Sequence, residues 1–416
     1  MKNQPVLYDS LKSILHHMDA NSRIKMSQRI PTIRAAEKSV PLKIRYLSIM
    51  DTTVKINYVQ YELRVYRDYP NGDIPLDVKK ENVRGGVETD FDRFGFEIPI
   101  GSNPILPGDI SVRNENERVV RTDTDELERR YRNELARCEI LLRVIAEKES
   151  GLEPKMEDSW RVSEKWGYSK NALQKDADRV REKLKPFDCR RHNLPPPFNC
   201  YIQLSATKYL ETKPLQRLSY NRKLYEVVKQ FNHILFANRP AIKVKVLECR
   251  ANQVYRTPIG FKISANQLAA RQSQIASIAT ILEGDVNTLE VSRSENAENW
   301  WQHRLVQNAS ELTTDDVMLR AFTNRIIRFH YDRILTAGQY CGLIENWMSV
   351  KREVGSELRI VLSIERDRKY FLDMIQTRMK VVRRDERCVT IHDKNGTQIE
   401  VSLVNNWWVK VEVVEN

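Results

Sequence analysis

The chain has 416 residues, 41% of them hydrophobic, and a formal net charge of +12. No apolar run approaches the roughly 20 residues that cross a bilayer, and no apolar leader precedes the first charges, so neither a membrane anchor nor a signal peptide is expected. Six cysteines (Cys138, Cys189, Cys200, Cys249, Cys341, Cys388) lack paired spacing, which speaks against a disulfide framework or a zinc site and for a reducing compartment, cytoplasmic or nuclear.

The opening segment, residues 5–40, reads as three short helices split by turn signals. Leu7, Leu11, Ile14, Leu15 and Met18 fall on one helical stripe. So small a segment cannot bury that stripe alone, so either the rest of the chain or another protein must cover it. Alternation of apolar and polar residues over 42–49, 54–58 and 61–66 predicts an antiparallel meander. Residues 73–120, with Gly85-Gly86, several prolines and many charges, read as a surface loop region with strand fragments. Thr122-Asp123-Thr124-Asp125 supplies a helix start, and Leu127, Tyr131, Leu135, Cys138, Leu142 and Ile145 continue it to Gly151. A second helical stretch over 159–185 carries Trp160, Trp166, Leu173, Val180 and Leu184, and the two predict a helical hairpin. Pro195-Pro196-Pro197 then marks an extended linker.

Beyond the prolines, strand and helix alternate. Strands are expected at 201–204, 241–248, 286–291, 325–330 and 357–362. Helices are expected at 220–236, 268–281, 315–321 and 341–350. Strands spaced at about 33–44 residues fall in the range of stacked repeats, here irregular and leucine-rich-repeat-like. The tail, 381–414, reads as short strands with a hairpin turn at Asp393-Lys394-Asn395-Gly396.

These segments together resemble a family. The opening is similar to an F-box, with Leu7, Leu11, Ile14, Leu15, Met18, Ile24 and Ile30 at its apolar positions. Tyr8 stands where that motif usually has Pro, and Arg34 lies near the position of its usual Trp. The phrases at 8–15, 29–34, 37–44, 239–244 and 343–347 look like the nematode F-box-like (F-box C type) proteins that carry a domain of unknown function. The resemblance implies an α+β chain of four parts: an F-box-like helical module (1–41), a β-meander and loop (42–120), a helical hairpin (121–192) and a repeat-like F-box-associated domain (198–416). It also implies a substrate-recruiting adaptor of a ubiquitin ligase. The seven apolar residues would dock a Skp-type linker of a cullin assembly, and the repeats would hold an unknown target protein.

No phosphate-cradling glycine loop, G-x-S-x-G elbow or H-E-x-x-H is present, and Gly occurs only 14 times. A non-enzymatic protein without cofactor or metal is expected. His303 and Cys341 are isolated, and such residues belong far more often to core or surface than to catalysis. Trp300, Trp301, Trp407 and Trp408 are the candidate anchors for a target, because aromatics dominate interface energetics, with core packing the equal alternative, as large aromatics are mostly buried. The 68 basic residues interleave with 56 acidic ones without a long Lys/Arg block, which disfavours a nucleic-acid partner. Two alternatives stay open: an orphan interaction protein with a decayed helical start, and a basic nucleic-acid-binding repeat protein.

Overall fold

The pattern apolar-x-x-apolar-x-apolar recurs at Ile44-Leu47-Ile49, Val244-Leu247-Cys249, Ala265-Leu268-Ala270 and Val286-Leu289-Val291. It returns with one polar member at Ala309-Leu312-Thr314 and Asn324-Ile327-Phe329. Every one of these residues is buried. The computed structural model, which describes residues 7–72, 74–113, 121–152, 169–294, 297–330, 335–361, 365–393, 396–404 and 408–415, places each set on one strand of a single sheet, with Val286, Ala309 and Asn324 two residues ahead of their strands.

The chain opens with three helices, α1 (Tyr8–His17), α2 (Ala20–Arg29) and α3 (Arg34–Ser39), as expected. Asp19 caps α2, its Oδ1 accepting from the Asn21 N–H at 2.9 Å. The meander follows as β1 (Lys43–Ile49), β2 (Thr53–Ile56) and β3 (Val59–Asp68), paired antiparallel in order.

Within the expected loop region the described residues 74–113 carry the expected strand fragments and, not expected, a helix. These are α4 (Leu76–Val83), β4 (Asp90–Phe91), β5 (Glu97–Ile98) and β6 (Ile110–Ser111). Gly86 has φ +118°, and a Cβ there would lie 2.2 Å from the Val65 carbonyl oxygen. The glycine that read as a loop signal therefore lets Val87 bridge to Val65 on β3. Asp109 anchors the end of this segment from a buried position, its Oδ1 2.7 Å from Lys229 Nζ and its Oδ2 2.5 Å from Arg256 Nη1.

The hairpin is formed by α5 (Asp125–Glu149) and α6 (Lys170–His192). Thr124 and Ser169 cap the two helices through their hydroxyls. Trp160 and Trp166 lie outside the described residues. A long β-hairpin, β7 (Asn199–Lys208) and β8 (Glu211–Ser219), pairs β7 with β3.

The remaining elements are α7 (Leu224–Phe236), β9 (Ile242–Cys249), β10 (Val254–Tyr255), β11 (Ile263–Arg271), α8 (Ile275–Ala279), β12 (Thr288–Ser292), α9 (Arg304–Asn308), β13 (Glu311–Thr314), β14 (Ile326–Phe329), α10 (Ala337–Met348), β15 (Glu357–Val361), α11 (Glu365–Arg378), β16 (Val381–Arg384), β17 (Cys388–His392), β18 (Gln398–Leu403) and β19 (Trp408–Val413). Fifteen strands join in the order β16-β17-β18-β19-β15-β14-β13-β12-β11-β9-β1-β2-β3-β7-β8. The middle of the sheet, from β1 through β9 and β11 to β15, is parallel, and both flanks are antiparallel. The fold is thus mixed α+β, with eleven α-helices among the described residues and one large mixed sheet.

The register aligns Leu47, Leu247, Leu268, Leu289, Leu312, Ile327, Leu358 and Val411 across eight neighbouring strands. None of them exceeds 1% exposure. This ladder forms the main core with Ile24 of α2, Phe236 of α7, Ile278 of α8, Val306 of α9, Trp347 of α10 and Phe371 of α11. The opposite face of the sheet carries polar and charged residues, as a sheet packed on one side does.

Three expectations need correction. The parallel strands from β9 to β15 start at Ile242, Ile263, Thr288, Glu311, Ile326 and Glu357, so the interval is 15–31 residues rather than 33–44. The helix expected at 268–281 begins as β11. Ala265 and Leu268 both face the core across two outward residues, Asn266 and Gln267, and that step of three imitates a helical period. The helix expected at 315–321 is only a 3-10 turn, 319–321, following the missed strand β13.

Candidate interaction surfaces

The apolar stripe of α1 is wider than its neighbours can cover. Leu15 is fully buried against Ala36 and Val40, with Leu11 and Met18 half-buried at the margin. Ile24 enters the main core beside Leu42 and Ile44. Leu7, Ile14 and Ile30 stay outside at 77%, 50% and 45% exposure. The chain therefore encloses Leu15 and Ile24, which are unavailable for docking, and leaves three of the seven predicted residues open.

The helical module is bolted to the sheet by buried charge. The Arg23 Nε donates to Glu37 Oε1 at 3.2 Å, its Nη1 to the Pro41 carbonyl at 2.9 Å, and its Nη2 to the Glu37 and Val40 carbonyls at 2.8 and 2.9 Å. Arg239, between α7 and β9, donates to both Glu37 carboxylate oxygens at 2.8 and 2.6 Å. All three side chains are at most 2% exposed. Burial pulls the Arg23 pKa down, and the Glu37 carboxylate opposes it. The Asn21 amide adds a bond to the Ile56 carbonyl at 2.9 Å.

The open face of the sheet is the other broad surface. In one register row it presents Ala269, Glu290, Thr313, Arg328, Arg359 and Lys410, while Ser48 and Glu248, which continue the row onto β1 and β9, are buried. Arg328 pairs with Glu311, Arg359 with Glu357 at 2.5 Å, and Lys410 with Glu412 at 2.5 Å. The Tyr46 hydroxyl donates to Glu248. Burial first, and then this carboxylate, push the Tyr46 pKa up to about 12. A hollow of about 540 Å³ lies among Arg328, Arg359, Ser402, Trp408 and Lys410. Of these, sequence reasoning singled out only Trp408. The outward positions between alternating apolar residues, Arg328 between Ile327 and Phe329, Arg359 between Leu358 and Ile360, and Lys410 between Val409 and Val411, are the signal that identifies the charged ones.

The predicted aromatic anchors separate. Trp300 is buried in the core with its ring 5.3 Å from that of Phe322, so it cannot serve as a surface anchor. Trp301 is half-buried edge-on to Trp300. Trp408 is half-buried at the hollow on the open face. Trp407 lies outside the described residues. His303 caps α9, its Nδ1 accepting from the Leu305 N–H at 3.2 Å, and burial lowers its pKa. Cys341 is buried in the core, which raises its thiol pKa. Among the described residues no group of three or more His, Cys, Asp or Glu is placed to hold a metal ion, and no helix is long and apolar enough to cross a membrane.

Residues 223–363 match a family model described as a domain of unknown function, DUF3557. The matched segment begins at the residue before α7 and runs through β15, so it contains the parallel run from β9 onward but not the helical module, the meander or the α5–α6 hairpin. Neither the curated proteins nor the solved structures include a match to the chain.

Proposed function

We propose that the chain is a non-catalytic adaptor that recruits a target protein to a Skp–cullin–F-box type ubiquitin ligase, in the cytoplasm or nucleus. In this reading α1–α3 are an F-box-like docking module, and the parallel run is a leucine-rich-repeat-like stack whose open face meets the target. The adaptor contributes proximity and no bond chemistry. The observation that carries the reading is the exposure of Leu7, Ile14 and Ile30 on a module that encloses Leu15 and Ile24 and leaves Leu11 and Met18 half-buried. Leu7 and Ile14 lie seven residues apart on one face of α1 and its N-cap, and an exposed apolar face of this kind marks an interaction site. The buried clamp at Glu37 supports it, because a module held rigidly on the sheet fixes the distance between linker and target. The repeated pattern and its interval of 15–31 residues support the stack.

The enclosure of Leu15 and Ile24 favours a second reading, an orphan interaction protein whose helical start serves its own core. One experiment separates the two. Co-precipitation should recover a Skp-type linker with the wild type and lose it with Ile14→Asp, whose side chain is half outside and whose fold should survive. Leu15→Asp is not informative, since it would break the core. Failure to recover the linker with a folded wild-type chain refutes the adaptor.

A further inference from the structure

Lys43-Ile44-Arg45 and Lys243-Val244-Lys245 lie 200 residues apart, so no Lys/Arg block shows in the sequence. Parallel pairing of β1 with β9 sets Lys43 against Lys243 and Ile44 against Val244. Arg45 consequently falls beside Lys245. Ile44 and Val244 are buried, so the four cations project from the opposite, open face. Strand spacing and the two-residue repeat put them at the corners of a patch about 5 by 7 Å at the backbone.

All four are exposed, and none is ion-paired to a carboxylate among the described residues. Among the described residues the quartet makes one polar side-chain contact, from Lys43 Nζ to His16 Nε2 at 2.8 Å. His16 feels these cations: Lys43 is the main cause of its lowered pKa, with smaller contributions from burial, His17, Arg23 and Lys243. The next carboxylate along β9, Glu248, is already engaged by Tyr46 and Arg250. Like charges directly opposed on neighbouring strands cost stability, and nothing in the packing requires them here.

We propose that Lys43, Arg45, Lys243 and Lys245 bind an extended acidic segment of a partner protein, laid along the strands on the open face. The assignment rests on the adaptor reading in taking that segment to belong to the recruited target. Alternate residues of an extended peptide repeat at about 6.6–6.8 Å, the same step that separates Lys43 from Arg45 and Lys243 from Lys245. Carboxylates at every second position therefore meet both rows. Single-stranded nucleic acid fits less well. The exposed open-face neighbours on β11 are Ser264 and Asn266 rather than stacking aromatics, and the Tyr46 ring is held beside the Glu248 carboxylate.

The test uses the full chain and fluorescence anisotropy with two probes, a labelled ten-residue Glu-Ser repeat peptide and a labelled oligothymidine. The peptide should bind at low salt and weaken steeply as salt rises. Lys243→Gln with Lys245→Gln should weaken it about tenfold, the loss expected for two exposed charge pairs, with an unfolding midpoint no lower than that of the wild type, since opposed like charges are removed. Ile14→Asp should leave peptide binding intact. The proposal is overturned if the wild type does not bind the peptide, if the double variant binds it equally well, or if oligothymidine binds more tightly. Linker capture is read separately: its loss with peptide binding intact removes the adaptor reading and leaves the acidic-segment site standing.

Discussion

Glu37→Ala should be among the most damaging single changes in the chain. It removes one carboxylate that neutralises two buried guanidiniums, those of Arg23 and Arg239. Most of their N–H groups keep partners, since Arg23 still reaches the Pro41, Glu37 and Val40 carbonyls and Arg239 the Leu235 carbonyl. What is lost is the countercharge. Deleting one partner of a buried ion pair costs about 3–5 kcal/mol. At about 2.1 cal/mol/K of unfolding entropy per residue, cooperative unfolding of the whole chain converts this into a Tm fall of roughly 3–6 °C. Urea unfolding and calorimetry measure the loss, and hydrogen exchange over residues 8–40 should show α1–α3 opening first. The triple change Arg23→Met, Glu37→Leu, Arg239→Met removes all three charges and should be near neutral. A Glu37→Ala loss below about 1 kcal/mol, or a triple variant as unstable as the single one, would refute the electrostatic account.

Two further outcomes are expected. Lys43→Met should raise the His16 pKa toward the ordinary histidine value, because a nearby cation disfavours the imidazolium; NMR titration of the imidazole reads the direction, and an unmoved midpoint would show that the Lys43 charge is not felt. Trp300→Ala should cost about 3–5 kcal/mol in denaturant unfolding, as for a large aromatic lost from a packed core, whereas a surface anchor would leave stability nearly unchanged.

Local signals made much of the fold legible. The helix α5 announced itself through Thr124, whose hydroxyl accepts from the Leu127 N–H, and through apolar residues at helical spacing. The meander was readable because apolar and polar residues alternate along most of its sequence, even though β1 and β2 pack in the main core and Leu63 and Val65 of β3 in a second cluster. Strands β11 and β13 were hidden for different reasons. In β11 the paired outward residues Asn266 and Gln267 disguise a strand as a helix. In β13 only Leu312 and Thr314 are buried, too short a pattern to register. The exposed strand β8 offers little hydrophobic alternation to read. The interaction surfaces were least legible because they are made by pairing across distance. Arg23 and Glu37 are 14 residues apart, and Arg239 lies another 202 beyond Glu37. The half-enclosed state of the α1 stripe likewise depends on α3 and Val40, which no periodicity in α1 reports.

The β1–β9 pairing also has a consequence during synthesis. Strand β1 is an interior strand whose second neighbour is made only 200 residues later. At about 5–20 residues per second, the ribosome needs roughly 10–40 s to supply it. Throughout that interval the emerging chain displays a bare strand edge and the uncovered side chains of Leu47 and Ile49. Newborn chains should therefore engage chaperones, and transcripts truncated before β9 should yield insoluble fragments rather than a folded N-terminal half.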